Sequence, residues 1–194
     1  MDDYELICVG ASWGGLDALS RLLEGIPAEV DAPIVVAQHR SPEGRDQTLG
    51  ELLEPHARRP VRDAVDKDSL ERGHVYIAPP DYHLLVERGS LHLDVHDLVH
   101  FARPSVDVLF ESAADAYGPA AIGIILTGAN QDGAAGLRRI KDRGGVAIVQ
   151  DPRSSLRRAM PDAAIAATDA DAILPLEEIG PFLYGLCIEK VRTT

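Results

Sequence analysis

At 194 residues, 45% hydrophobic and 26% charged, the chain is long enough to bury a core without disulfides or a structural metal, and too apolar for general disorder. A net charge of −12, from 31 acidic against 19 basic residues, excludes an extended nucleic-acid interface and a polybasic membrane anchor, both of which need Lys and Arg. The cysteines Cys8 and Cys187 stand alone in apolar runs, which excludes a CxxC site and a disulfide framework and leaves two buried, reduced thiols as the expectation.

The start of the chain, MDDYELICVG, has acidic residues where a signal peptide needs basic ones. No run approaches the ~20 apolar residues of a membrane span. A cytoplasmic protein with no membrane insertion is expected, folded as a single domain over residues 1–194.

Glu5 to Val9 reads as a buried strand, followed by Leu16, Leu19, Leu23 and Ile26 at helical spacing. Pro33 to Ala37 is a second buried strand, and a helix carrying Leu49, Leu52 and Leu53 is expected to end at Pro55. Val75 to Ala78 is a short strand closed by Pro79 and Pro80. His83 to Glu87 and Leu91 to Val95 flank Arg88-Gly89-Ser90 as a hairpin. Val106, Leu109, Phe110, Ala113, Ala114 and Tyr117 share one helix face, with Pro104 expected in its first turn. Ala121 to Leu126 is a strand, Leu137 and Ile140 mark a helix, and Val146 to Val149 is another strand. Ala172 to Leu174 precedes a closing helix with Ile179, Phe182, Leu183 and Leu186.

Continuous apolar strands alternating with amphipathic helices predict an α/β fold: a doubly wound, mostly parallel sheet with helices on both faces and an inserted antiparallel β-hairpin. Ligands in such sheets bind beyond the carboxyl ends of the strands. Gly10-Ala11-Ser12-Trp13-Gly14-Gly15 follows the first strand, Gln38-His39-Arg40 the second, and Thr127 to Gly133, with Asp132, the AIGIIL strand.

The first segment has the G-x-S-x-G form that seats a serine on a sharp strand-to-helix turn. Taken alone, it equally suits a packing turn or a phosphate cradle. His39 alone suits a structural histidine, and Asp132 alone a residue at a helix start. Together they supply an alcohol nucleophile, a base and a carboxylate to orient the base. Their order, Ser-His-Asp, differs from that of α/β-hydrolases, chymotrypsin-like enzymes and subtilisins. His92, His96 and His100 recur every four residues, yet LHLDV alternates like a strand, which separates such positions by about 13 Å and disfavours a metal site. Arg157 and Arg158 read as solvated surface.

The segments GASWGGLDAL, VVAQHR, VYIAPPDYHLLV, RPSVDVLFESAA and LTGANQDGAAGL, with the later QDP and AMPDAAI runs, resemble the catalytic domain of the chemotaxis methylesterase family, CheB. The likeness spans about Leu6 to Leu174. It implies hydrolysis of glutamate γ-methyl esters on methyl-accepting receptors, with release of methanol, and in many members deamidation of receptor glutamines. By motif position it implies Ser12 as nucleophile, His39 as base, Asp132 as orienting acid, and the backbone N–H groups of Trp13 and Ala129 as oxyanion donors. It implies no metal and no organic cofactor. The implied partner is a methylated, helical receptor cytoplasmic domain.

The chain departs from the family pattern at four points. Trp13 stands where threonine is common, either re-lining the mouth of the site or packing as a buried side chain. Ala129 and Asn130 replace methionine and glycine, and Asn tolerates the φ > 0 that such a glycine can require. Ala102 replaces a histidine, removing one polar group near the cleft. Arg103 and Asp107 match the pattern and are expected to brace the helix start. The family's N-terminal receiver domain does not precede the first catalytic strand in this sequence, so the expectation is either a stand-alone member or a fragment that begins with methionine, constitutively open as given or regulated by a separate receiver or kinase protein. Three other readings of these residues remain: a non-catalytic signalling module, a phosphate or nucleotide site at the Gly10–Gly15 turn, and an esterase with another substrate.

Overall fold

The computed structural model describes residues 4–40 and 48–189. The chain runs β1 (Leu6–Ala11), α1 (Gly15–Gly25), β2 (Ile34–Gln38), α2 (Leu49–Leu53), β3 (Val61–Asp63), β4 (Val75–Ile77), β5 (His83–Glu87), β6 (Ser90–Asp94) and α3 (Val106–Tyr117). It continues through β7 (Ala121–Ile125), α4 (Ala134–Asp142), β8 (Val146–Gln150), α5 (Ala159–Ala167), β9 (Ala172–Leu174) and α6 (Leu176–Tyr184). Among the described residues, seven strands form one parallel sheet in the order β3-β4-β2-β1-β7-β8-β9. From β1 the chain builds first toward β2 and later toward β7, so a topological switch point lies beside the end of β1.

Alternation along each strand divides the apolar side chains between two cores. Ile7, Val9 and Ala11 of β1 join one cluster, packed with Leu19, Leu22, Leu23 and Ile26 after β1 and with Ile179 and Leu183 of α6. Leu6 and Cys8 join the other, with Leu109 and Phe110 of α3, Leu137 and Ile140 of α4, and Leu84, Val86 and Leu91 of the hairpin. Burying a side chain such as Leu22 or Phe110 stabilises the fold by about 1.5–3 kcal/mol each.

The hairpin is not part of the main sheet. β5 and β6 form a separate antiparallel pair that lies on α3, where Val86 N–H donates to Ser112 Oγ at 3.0 Å and Gly89 N–H to the Tyr117 hydroxyl at 3.0 Å.

As expected, α2 stops ahead of Pro55, at Leu53, and a 3-10 turn, Glu54–His56, follows it. Several other local expectations are corrected. Pro104 lies ahead of the N-cap Ser105 rather than in the first turn of α3. Leu16 is exposed, and Leu22 takes its place on the buried face of α1. β3 and α5 were not foreseen: only Val61 of β3 is fully buried, and the Ala-rich α5 carries little periodicity. Cys8 is buried, but Cys187 is only half-buried. No helix among the described residues is long and apolar enough to cross a membrane.

Candidate active site

Ser12 and His39 come together through strand register. Ala11 of β1 pairs with Gln38 of β2, so the next residue on each strand is Ser12 and His39. His39 N–H donates to Ala11 O at 3.0 Å, and Ser12 N–H donates to Thr127 O beyond β7 at 2.9 Å. Gln38 braces the turn from below, its Nε2 donating to Ser12 O at 2.7 Å and to His39 O at 2.9 Å. Gly14 then turns the chain into α1 with φ of 82°, a left-handed conformation that costs glycine nothing.

Asp132 reaches His39 from the β7–α4 loop, with 2.7 Å between its Oδ2 and His39 Nε2. It is 1% exposed and accepts three further hydrogen bonds, all from the start of α3: Ser105 Oγ at 2.9 Å, Val106 N–H at 2.7 Å and Asp107 N–H at 3.0 Å. Asp132 therefore terminates α3, not the α4 helix that follows it in sequence. Burial pushes its carboxyl up, but the hydrogen bonds from His39, Val106 and Asp107 outweigh it and hold Asp132 below the usual carboxylate range. An ionised, fully bonded carboxylate fixes the orientation of the imidazole.

With Nε2 facing Asp132, that nitrogen carries the proton of a neutral ring and Nδ1 is left as the acceptor. Asn130 Nδ2 lies 3.4 Å from Nδ1, and Asn130 Oδ1 accepts from Asp132 N–H at 3.2 Å. Asn130 does not adopt a positive φ, so the replacement of glycine is tolerated for another reason: its side chain bridges His39 and Asp132. Sequence reasoning missed that role. The Ser12 hydroxyl makes no hydrogen bond among the described residues, so the structure places Ser12 beside His39 but leaves their contact unmade. Such contacts often tighten only when substrate binds.

The N–H groups of Trp13 and Ala129 have no acceptor among the described residues. They flank Ser12 from the start of α1 and from the loop after β7, where free donors and the helix dipole favour negative charge. The Trp13 side chain is not buried; it is 61% exposed, with the Arg157 guanidinium 5.5 Å from its ring centroid. Close packing leaves no slack behind Ser12. A Cβ on Gly128 would sit 2.9 Å from Ser12 Cβ and 1.9 Å from Met160 Sδ.

Further polar groups support the site: His83, which sequence reasoning left unassigned, and Arg103 and Asp107, which it placed at the helix start. Buried His83 accepts from Ser105 N–H at 3.2 Å and donates to Asp97 O at 3.0 Å, tying the hairpin to the start of α3. Arg103 binds Asp81 and the carbonyls of Val95 and His96. Asp107 accepts from Gly136 N–H at 2.7 Å and so joins α3 to α4; burial, and to a lesser degree the charge of Asp132, push its carboxyl up. His92, His96 and His100 do not converge, for they face Glu87, Asp94 and Asp107 respectively. His100, Asp107 and Asp132 each place one donor atom within 4.8 Å of the others. All four bonds to Asp132 would compete with a cation there.

Residues 7–183 match the family model described as CheB methylesterase. The chain is 43% identical over 185 residues to a putative protein-glutamate methylesterase/protein-glutamine glutaminase of Leptospira interrogans, covering 95% of each. It is 44% identical to a protein-glutamate methylesterase/protein-glutamine glutaminase of Rhodospirillum rubrum, spanning 89% of this chain and 48% of that one. The crystal structure of the Thermotoga maritima CheB methylesterase catalytic domain superposes with a TM-score of 0.88 at 34% identity, over 94% of this chain and 98% of that one. Matched by the family model over residues 7–183, by these relatives and by the fold over nearly its whole length, the chain belongs to the CheB methylesterase family.

Proposed function

We propose that this protein is a cytoplasmic serine hydrolase that demethylates glutamate γ-methyl esters on methylated sensory receptors and deamidates glutamines at equivalent positions. The observation that carries the reading is the His39–Asp132 hydrogen bond of 2.7 Å, formed at the strand ends where Ser12 is the neighbour of His39 in register.

Ser12 Oγ attacks the ester carbonyl as His39 Nδ1 takes its proton. The imidazolium keeps its Nε2–H on Asp132, which is ionised and stabilises the positive charge. The N–H groups of Trp13 and Ala129 receive the oxyanion, an interaction made in full only in the transition state. His39 then gives its proton to the leaving methoxide, releasing methanol and an acyl-Ser12. Water, deprotonated by His39, attacks that ester; the Ser12–acyl bond breaks, Ser12 recovers its proton, and the glutamate leaves. With a glutamine substrate the first leaving group is ammonia.

Methanol release from methylated receptor membranes, compared between the native chain and Ser12→Ala, tests the reading. Release that disappears in the variant is the expected result. No release by the native chain, with Ser12 still labelled by a fluorophosphonate, overturns the substrate and leaves a hydrolase of another ester.

A further inference from the structure

The side chains of Trp13 and Arg157 form a structure that the reaction itself does not use. Trp13 follows the nucleophile directly, and its indole is 61% exposed, so folding draws little of the burial a tryptophan offers. Arg157 lies across it, Cζ 5.5 Å from the ring centroid. The Arg157 main chain is pinned: its N–H donates to Thr127 Oγ1 at 2.9 Å, and its carbonyl accepts from Gly128 N–H at 3.0 Å. Thr127 O in turn accepts from Ser12 N–H at 2.9 Å. The base of the arginine is thus one residue removed from the nucleophile.

The charge around it is uneven. Arg153 is neutralised by Asp151 and Arg158 by Asp162, while Arg157, among the described residues, has no carboxylate partner. The guanidinium lies over the indole, with Arg157 exposed, and its planar fork of N–H donors matches a carboxylate. In a chain of net charge −12, an exposed arginine with no carboxylate partner among the described residues, beside the nucleophile, is set for an anion from outside. The reacting group is not that anion, because a methyl ester and a primary amide are both neutral.

Resting on the function proposed above, we infer that Arg157, set over the Trp13 ring, is a specificity-determining residue that binds an acidic side chain flanking the scissile group on the protein substrate. The aromatic face holds the guanidinium in place, and the substrate carboxylate completes its coordination. The pair selects glutamate esters embedded in acidic sequence.

The test uses the full chain and two peptides with a central γ-methyl glutamate, flanked on both sides by Glu in one and by Gln in the other. The ratio of kcat/KM for the two peptides, measured within one variant, cancels any loss of fold or of chemistry. The native chain is expected to prefer the Glu-flanked peptide about 1.5- to fivefold, the range of an exposed ion pair, mainly through KM and less so at high salt. In Arg157→Gln the ratio falls to one, and in Arg157→Glu it inverts. Equal turnover of both peptides by the native chain, or a preference that survives Arg157→Gln, overturns the inference and leaves the proposed function standing. No turnover of either peptide and none of methylated receptor sinks both.

Discussion

Asp132 Oδ2 accepts the backbone N–H of Val106 at 2.7 Å. The same oxygen receives His39 Nε2 at 2.7 Å. A helix start and a histidine thus share one carboxylate oxygen, and the chemistry of the site is coupled to the stability of α3.

Replacing Asp132 by Asn tests that coupling. Activity on the methylated substrate falls on the order of 10⁴-fold, because the amide no longer holds His39 in the tautomer that leaves Nδ1 free. Stability falls as well, by about 1.5–3 kcal/mol at neutral pH, the range for a hydrogen bond to a charged group. The folded carboxyl lies below its ordinary value, which is about 3.9 in an unfolded chain. The ionised form therefore contributes its stabilisation fully above about pH 4, and the contribution is lost as pH falls through the folded-state value. The difference in urea midpoint between native and variant is expected to be full at pH 7 and to shrink as pH is lowered below about 4.

Ser105→Ala separates support from orientation. The change removes the 2.9 Å bond to Asp132 Oδ1 and the acceptor for Val108 N–H, at a cost of about 1–2 kcal/mol. His39 keeps its contact with the other oxygen, so activity falls far less than in Asp132→Asn. Equal losses of activity in the two variants would contradict this division of roles.

Asn130 offers a test through pH. In Asn130→Asp a carboxylate replaces the amide 3.4 Å from His39 Nδ1 and favours the protonated ring. The acid limb of the pH–rate profile moves to higher pH, and activity recovers as pH rises. Asn130→Ala lowers activity through a looser His39 without moving that limb.

Gly128→Ala places a methyl group 1.9 Å from Met160 Sδ and 2.9 Å from Ser12 Cβ. Overpacking of this kind costs about 1–3 kcal/mol. A displacement of Ser12 near 1 Å is expected to lower kcat by about 10²-fold. Adding Met160→Ala opens space on one side and restores part of the stability, as thermal denaturation would record, while kcat stays low because the contact with Ser12 remains.

Much of the fold is legible from the sequence because its signals are local. The strands LICVG and AIGII are apolar throughout, as parallel strands covered on both faces must be, and α3 carries its buried face at helical spacing. β3 and α5 escaped because their order comes from neighbours: Val61 pairs with Val75 of β4, and Met160 and Ala164 of α5 fill the core beneath β7 and β8. The hairpin reads correctly from Arg88-Gly89, yet its packing on α3 instead of the sheet depends on contacts more than twenty residues apart.

The sequence by itself determined which residues stand at the strand ends, and with them Ser12, His39 and Asp132, because strand periodicity and glycine turns are read within a few residues. Tertiary structure alone decided what holds those residues. Asp132 ends a helix 26 residues before it, Asn130 bridges His39 instead of adopting a left-handed turn, His83 anchors Ser105, and Arg157 covers an exposed Trp13. Each of these contacts joins groups from distant segments. Hydrogen-bond geometry and charge neutralisation are set by where the packed elements place those groups, and no local pattern in the chain encodes that placement.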